Sequence, residues 1–168
     1  LGLPAPELFP VDDYVAAAER VLRTDTGALQ YKPQYGPLKE QVAALMAARG
    51  VRCRPEQVFL TTGAQQALAL LARLFLDPRG QVICERLVYM GFQQVVEPYL
   101  PEILPVLSDL ETGIDVDRVE AYLQGGARPA FIYCITDGHN PLGVSVSLEK
   151  RVRLAELARR HRVPLIED

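Results

Sequence analysis

The stretch spanning residues 58–75, Val-Phe-Leu-Thr-Thr-Gly-Ala-Gln-Gln-Ala-Leu-Ala-Leu-Leu-Ala-Arg-Leu-Phe, constrains the fold of this chain most. Residues 58–62 are a short β-branched and aromatic run that predicts a strand. Gly63 predicts a turn. Ala64, Ala67, Leu68, Leu71, Leu74 and Phe75 then recur at helical spacing and predict a helix with those side chains inward. A chain that turns through glycine into a helix leaves unpaired N–H groups at the helix start. Those donors, with the helix dipole, suit an anion such as a phosphate. A plain strand-turn-helix in an α/β core has the same local pattern, so other parts of the chain must decide between the two.

The pattern after residue 77 is alternation. Strands are predicted at 81–85, 102–106, 129–135 and 163–167. Helices are predicted at 91–99, 115–124 and 147–161, the second ended by Gly125-Gly126 and the third carrying Glu149 near its start and Arg159, Arg160 and His161 near its end. Such alternation predicts an α/β fold, a three-layer αβα sandwich on a mostly parallel sheet, whose ligands bind beyond the strand C-termini. Before the opening stretch come an extended proline-rich arm, a helix over residues 12–23 capped by Asp12, and a loop over 24–37. A helix from Pro37 to Gly50 follows, with Leu38, Val42, Leu45 and Met46 inward. Residues 1–35 read as an arm with its helix, and 36–168 as the first part of a larger domain.

Composition removes several function classes. The net charge of -3 argues against nucleic acid as a partner of this segment. No apolar run is long enough to span a bilayer as a helix. Cys53, Cys84 and Cys134 make no metal-type pattern with His139 and His161, so no metal site is expected. They read as reduced thiols of a cytoplasmic protein. Both ends read as cut: the chain opens on Leu1-Gly2-Leu3-Pro4, and it closes on a strand with no helix after it.

The predicted strand ends collect a distinctive set. Thr62-Gly63-Ala64-Gln65 supplies an anion cup, Tyr89 a ring, Asn140 an amide and Asp168 a carboxylate. Together they suit a planar, phosphorylated heteroaromatic ligand with a ring nitrogen. Taken singly, Tyr89 could be a core or interface tyrosine, Asn140 a turn residue before Pro141, and Asp168 a surface residue.

These residues, in this order, carry a resemblance to a known family. Gly2-Leu3-Pro4, Leu29-Gln30-Tyr31 with Gly36, Thr62-Gly63-Ala64-Gln65-Gln66-Ala67-Leu68, Asn140-Pro141-Leu142-Gly143 and Ile166-Glu167-Asp168 make the chain similar to the N-terminal part of a class I/II, fold-type I aminotransferase. Within that class it resembles the branch of 2-aminoadipate and kynurenine aminotransferases and of MocR-type regulators. The resemblance implies pyridoxal 5'-phosphate as cofactor, α-amino acid and 2-oxo acid substrates, and a homodimer. It implies that the Ala64 and Gln65 N–H groups, in the turn made by Gly63, hold the phosphate, with the Gln65 side chain a further candidate. Tyr89 would stack on the ring, and Asn140 would meet the ring hydroxyl oxygen and the substrate carboxylate. Asp168 would pair with the ring nitrogen and keep it protonated. Tyr31 would reach the neighbouring subunit's phosphate, and Gly2 would lie near the substrate carboxylate.

The departures are Leu142 where the family keeps threonine, the approach Leu87-Val88 to Tyr89, and Asp137-Gly138-His139, in which His139 stands where glutamine is usual. The three lysines, Lys32, Lys39 and Lys150, do not match the family's Schiff-base lysine, which comes downstream of the Asp168 strand. The catalytic lysine is therefore expected outside these residues, and the segment alone is expected to be inactive. A MocR-type effector domain and a lyase on the same scaffold remain alternatives.

Overall fold

The computed structural model describes residues 4–168, so Gly2 lies outside the described residues. The chain forms two compact units, one ending at Leu60 and the other running from Thr61 to Asp168. The first unit contains α1 (Val11–Thr24) and α2 (Gly36–Ala48). Pro10, not Asp12, occupies the N-cap of α1, and no side chain caps that end. Proline fits there because the first-turn N–H groups have no intrahelical acceptor to lose. Every residue of α1 is exposed, and in α2 only Ala43 is buried. Leu38 and Leu45, expected inward, are exposed, while Val42 and Met46 are half-buried.

Residues 58–62 do not form the expected strand. The Gln34 side chain takes the place of a neighbouring strand: its Nε2 donates to the Leu60 carbonyl at 2.8 Å, and its Oε1 accepts from the Leu60 N–H at 3.0 Å. The run has the composition of a strand, but a carboxamide satisfies its backbone.

The second unit begins with α3 (Gly63–Phe75), followed by β1 (Gln81–Glu85), α4 (Met90–Val96), β2 (Glu102–Val106), β3 (Ser108–Asp109) and β4 (Gly113–Ile114). It ends with α5 (Val116–Gln124), β5 (Pro129–Cys134), α6 (Leu148–His161) and β6 (Leu165–Glu167). Among the described residues the main sheet has the order β2-β1-β5-β6, with every neighbouring pair parallel. The short antiparallel pair β3–β4 is additional. It is too short to leave a periodic signal. Asp109 Oδ1 organises its turn by accepting from the N–H groups of Glu111 and Thr112 and from the Thr112 hydroxyl.

Strand alternation splits the core into two layers. Val82, Cys84, Phe131 and Tyr133 pack with Leu68 and Ala72 of α3 and Phe92 and Val96 of α4. Ile83, Ile132 and Cys134 pack with Val119 and Leu123 of α5 and Leu154 and Leu157 of α6. Two helical layers on one parallel sheet give the expected three-layer sandwich. Asp115 caps α5 through the Arg118 N–H, and Ser147 caps α6 through the Lys150 N–H. In α3 the buried stripe is Leu68 and Ala72, while Leu74 and Phe75 are exposed.

Ile132 is fully buried at the centre of this arrangement. Ile132→Ala is expected to lower the unfolding free energy by about 2–5 kcal/mol. Leu148→Ala, at a side chain 77% exposed, is expected to shift it by less than about 0.5 kcal/mol. Denaturant titration of both variants checks the contrast.

Candidate active site

All four groups that sequence reasoning placed at strand ends belong to the second unit, and Tyr31 belongs to the first. α3 opens at Gly63, whose φ of 78° puts it in the left-handed region that favours glycine. No side chain caps this helix, and its first turn carries no acidic residue. Gln66 Oε1 instead accepts from the N–H of Thr62 at 2.6 Å. The start of α3 thus keeps its dipole and first-turn donors for an outside anion.

The Gln65 side chain is engaged elsewhere. Its Nε2 donates to the Gly91 carbonyl at 2.9 Å, which leaves its backbone N–H as its contribution to the cup. Gly91 was not singled out in the sequence, yet it joins two candidate residues. A Cβ there would lie 2.3 Å from Tyr89 Cε1 and 2.5 Å from Gln65 Oε1. Only glycine lets the tyrosine ring and the carboxamide share this space. The half-buried Tyr89 lies against the core layer under α3 and α4.

Asp168 follows β6 directly, and its N–H donates to the Cys134 carbonyl at 3.1 Å. Its Oδ2 accepts the Tyr133 hydroxyl at 2.6 Å. Tyr133 is fully buried and stacks on Phe92 at 3.9 Å, 8° from coplanar. Burial, then the Asp168 carboxylate, and more weakly Tyr89 push the Tyr133 phenol far above its ordinary value. The hydroxyl therefore stays a donor and orients an exposed carboxylate. Tyr133 sits in an apolar strand run, and its hydroxyl was the only available signal of this role.

Asn140 is exposed in the loop after β5, and its peptide bond to Pro141 is cis. Arg151 ties the base of that loop: its Nε donates to the Val146 carbonyl at 2.7 Å, and its Nη2 to the Thr136 carbonyl at 2.9 Å and to Asp137 Oδ1 at 2.6 Å. Thr136 also donates its hydroxyl to Glu167 Oε1, which links the loop to β6.

Tyr31 is fully exposed in the first unit. Lys32 pairs with Asp25 at 3.0 Å, and Lys150 Nζ donates to the Gly113 carbonyl at 3.0 Å. A cavity of about 400 Å³ lined by Phe92, Val96, Ile103 and Pro105 opens beside β2 and includes none of the candidate residues.

The described residues therefore join an uncapped helix start, a flat ring, an oriented carboxylate and an exposed amide along one edge of a parallel sheet. That arrangement is a candidate site for an anionic, ring-bearing ligand. Residues 4–168 match the family described as Aminotransferase class I and II, and the chain belongs to it. It is 40% identical over 170 residues to the 2-aminoadipate transaminase of Thermus thermophilus, covering 99% of this chain and 41% of that protein. It is 30% identical to the uncharacterized HTH-type transcriptional regulator YdcR of Escherichia coli, covering 99% of this chain and 36% of the regulator. Among solved structures, LysN, the α-aminoadipate aminotransferase of Thermus thermophilus, complexed with N-(5'-phosphopyridoxyl)-L-leucine, superposes with a TM-score of 0.89 at 40% identity. That superposition covers all of this chain and 42% of LysN. The chain thus spans about two fifths of the length of these aminotransferases.

Burial, and next the Glu85 carboxylate, push the Cys84 and Cys134 thiols from 9.0 up to about 12. Both are buried, whereas Cys53 is half-buried. A thiol reagent at pH 8 is expected to modify Cys53 in the native protein and all three cysteines after denaturation. Because the folded-state values are raised, the two thiols stabilise the fold fully below pH 9, and this contribution is lost as pH rises from 9 towards 12. Unfolding titrations across that range check the sign.

Proposed function

We propose that the intact protein is a pyridoxal 5'-phosphate-dependent aminotransferase that moves an amino group from an α-amino acid to a 2-oxo acid. Residues 1–35 would serve as its arm and 36–168 as the first part of its cofactor-binding domain, a division by role and not by compactness. The observation that carries this reading is the Asp168 carboxylate, held by the buried Tyr133 hydroxyl at the sheet edge. The donor set fits the cofactor: an uncapped first turn for a phosphate, a ring for a ring, and a carboxylate for a basic nitrogen.

When bound, the cofactor supplies the electron sink for chemistry at the substrate's α-carbon. The Ala64 and Gln65 N–H groups, in the turn set by Gly63, hold the phosphate. Tyr89 would supply the side chain that stacks on the ring. Asp168 holds a proton on the ring nitrogen, and Tyr133 fixes which carboxylate oxygen is free to do so. Asn140 donates to the ring hydroxyl oxygen and contacts the substrate carboxylate. Tyr31 would reach the phosphate of the neighbouring subunit in a homodimer. The family resemblance implies that the aldehyde-binding lysine would come from residues beyond Asp168, and Lys32 and Lys150 are held in other contacts. The protein acts in the cytoplasm.

The likeness to YdcR supports a second reading, the cofactor-sensing domain of a transcription regulator. The full-length protein separates the two. Given an amino acid and a 2-oxo acid, it is expected to yield the exchanged pair by chromatography. Asp168→Asn is expected to lower kcat by about 10²–10³-fold. Sequence-specific DNA binding without transfer would favour the regulator, and breakdown of the amino acid without an exchanged pair would favour a lyase.

A further inference from the structure

The loop that presents Asn140 is anchored by two residues with no part in the site just described. Glu85, the last residue of β1, and His139 are each only 1% exposed. His139 Nε2 lies 3.0 Å from Glu85 Oε2, an ion-pair distance, and neither atom makes an aligned hydrogen bond with any group among the described residues. The second carboxylate oxygen is satisfied, since Ser108 donates its hydroxyl to Glu85 Oε1 at 2.6 Å. On the other side of the imidazole, Nδ1 accepts the Leu142 N–H at 3.3 Å. That bond leaves the ring proton on Nε2, the ring nitrogen nearer Glu85.

The backbone of His139 is bound as tightly as its ring. Its N–H donates to the Val144 carbonyl at 2.8 Å, and its carbonyl accepts the Gly143 N–H at 2.5 Å. His139 therefore holds Leu142, Gly143 and Val144 at once, and Asn140 is the next residue along. The span from Ser108 through Glu85 and His139 to Leu142 crosses from β3 and the end of β1 to the loop after β5. Two buried polar atoms whose close polar neighbour is each other are costly to separate, so the spacing of this strut is strongly specified.

We propose that Glu85 and His139 form a buried strut that sets the position of Asn140, making His139 a positioning residue for the cofactor and the substrate carboxylate. This rests on the aminotransferase reading of the site. The ring's two nitrogens have separate tasks, and substitutions can divide them. Glutamine is long enough to reach Glu85 from the same backbone position and keeps the strut. Asparagine stops near the position of Nδ1 and leaves Glu85 without its partner. Leucine fills the space and makes neither contact.

The test uses the full-length protein with added pyridoxal 5'-phosphate. It measures the cofactor's dissociation constant by fluorescence titration, KM and kcat for the amino donor, and thermal unfolding. His139→Leu and His139→Asn are expected to weaken cofactor binding and to raise KM by about tenfold, the equivalent of ~1.4 kcal/mol. His139→Gln is expected to restore both to within about threefold, and kcat is expected to change less than KM in all three. If His139→Leu does not fold, His139→Asn against His139→Gln carries the comparison. Asn140→Ala is the control. If Asn140→Ala weakens binding but His139→Asn changes only the melting temperature, or if His139→Gln is as impaired as His139→Asn, the strut is overturned. If Asn140→Ala leaves both constants at the wild-type value, the reading of the site itself fails.

Discussion

The parallel pairing of β5 with β1 on one side and β6 on the other is the constraint on which the second unit depends. Tyr133 pairs with Cys84 of β1 and with Ile166 of β6, so one residue of β5 spans the sheet. A parallel strand covered on both faces must be apolar on both, and Phe131, Ile132, Tyr133 and Cys134 are all buried. Parallel pairing also sends β1, β5 and β6 towards the same edge. Glu85 ends β1, and the loop that includes Thr136 and then Asp168 follow β5 and β6. The site gathers at that edge because every strand that supplies it runs the same way.

Much of this was legible in the sequence where a period repeats often enough. β1, β2, β5, α5 and α6 lie within a residue or two of their expected bounds, since short apolar runs bracketed by glycine, proline and capping residues leave few alternatives. The failures share a cause. Residues 58–62 have strand composition, but Gln34, more than twenty positions earlier, satisfies their backbone. Asp12 has the chemistry of a cap, but proline already occupies the position. Helical periodicity in α1 and α2 shows which side chains share a face; it does not show that the face is covered within the described residues.

The candidate site divides along the same line. Residues that present chemistry were legible, because an exposed Asn, Asp or helix-opening glycine at a strand end stands out against an apolar background. Residues that hold them in place were not. Tyr133 and Gly91 look like ordinary members of apolar elements, and Glu85 looks like the end of a strand. His139 was noticed only as a departure from glutamine, and the role proposed for it rests on contacts with Glu85 and Leu142 that no local pattern encodes.

Asp168, Tyr89 and Asn140 nonetheless each have a buried group behind them. Asp168 is backed by the Tyr133 hydroxyl, Tyr89 by the space that Gly91 leaves open, and Asn140 by the loop that Glu85 and His139 restrain. A side chain facing solvent loses rotamer freedom when it binds a ligand, and a backing contact removes part of that freedom in advance. The backing groups are also the costly ones: a buried phenol, a buried carboxylate–imidazole pair and a glycine in a helix, none of which a fold alone requires. Their placement behind these candidate residues argues that this edge of the sheet is shaped for binding.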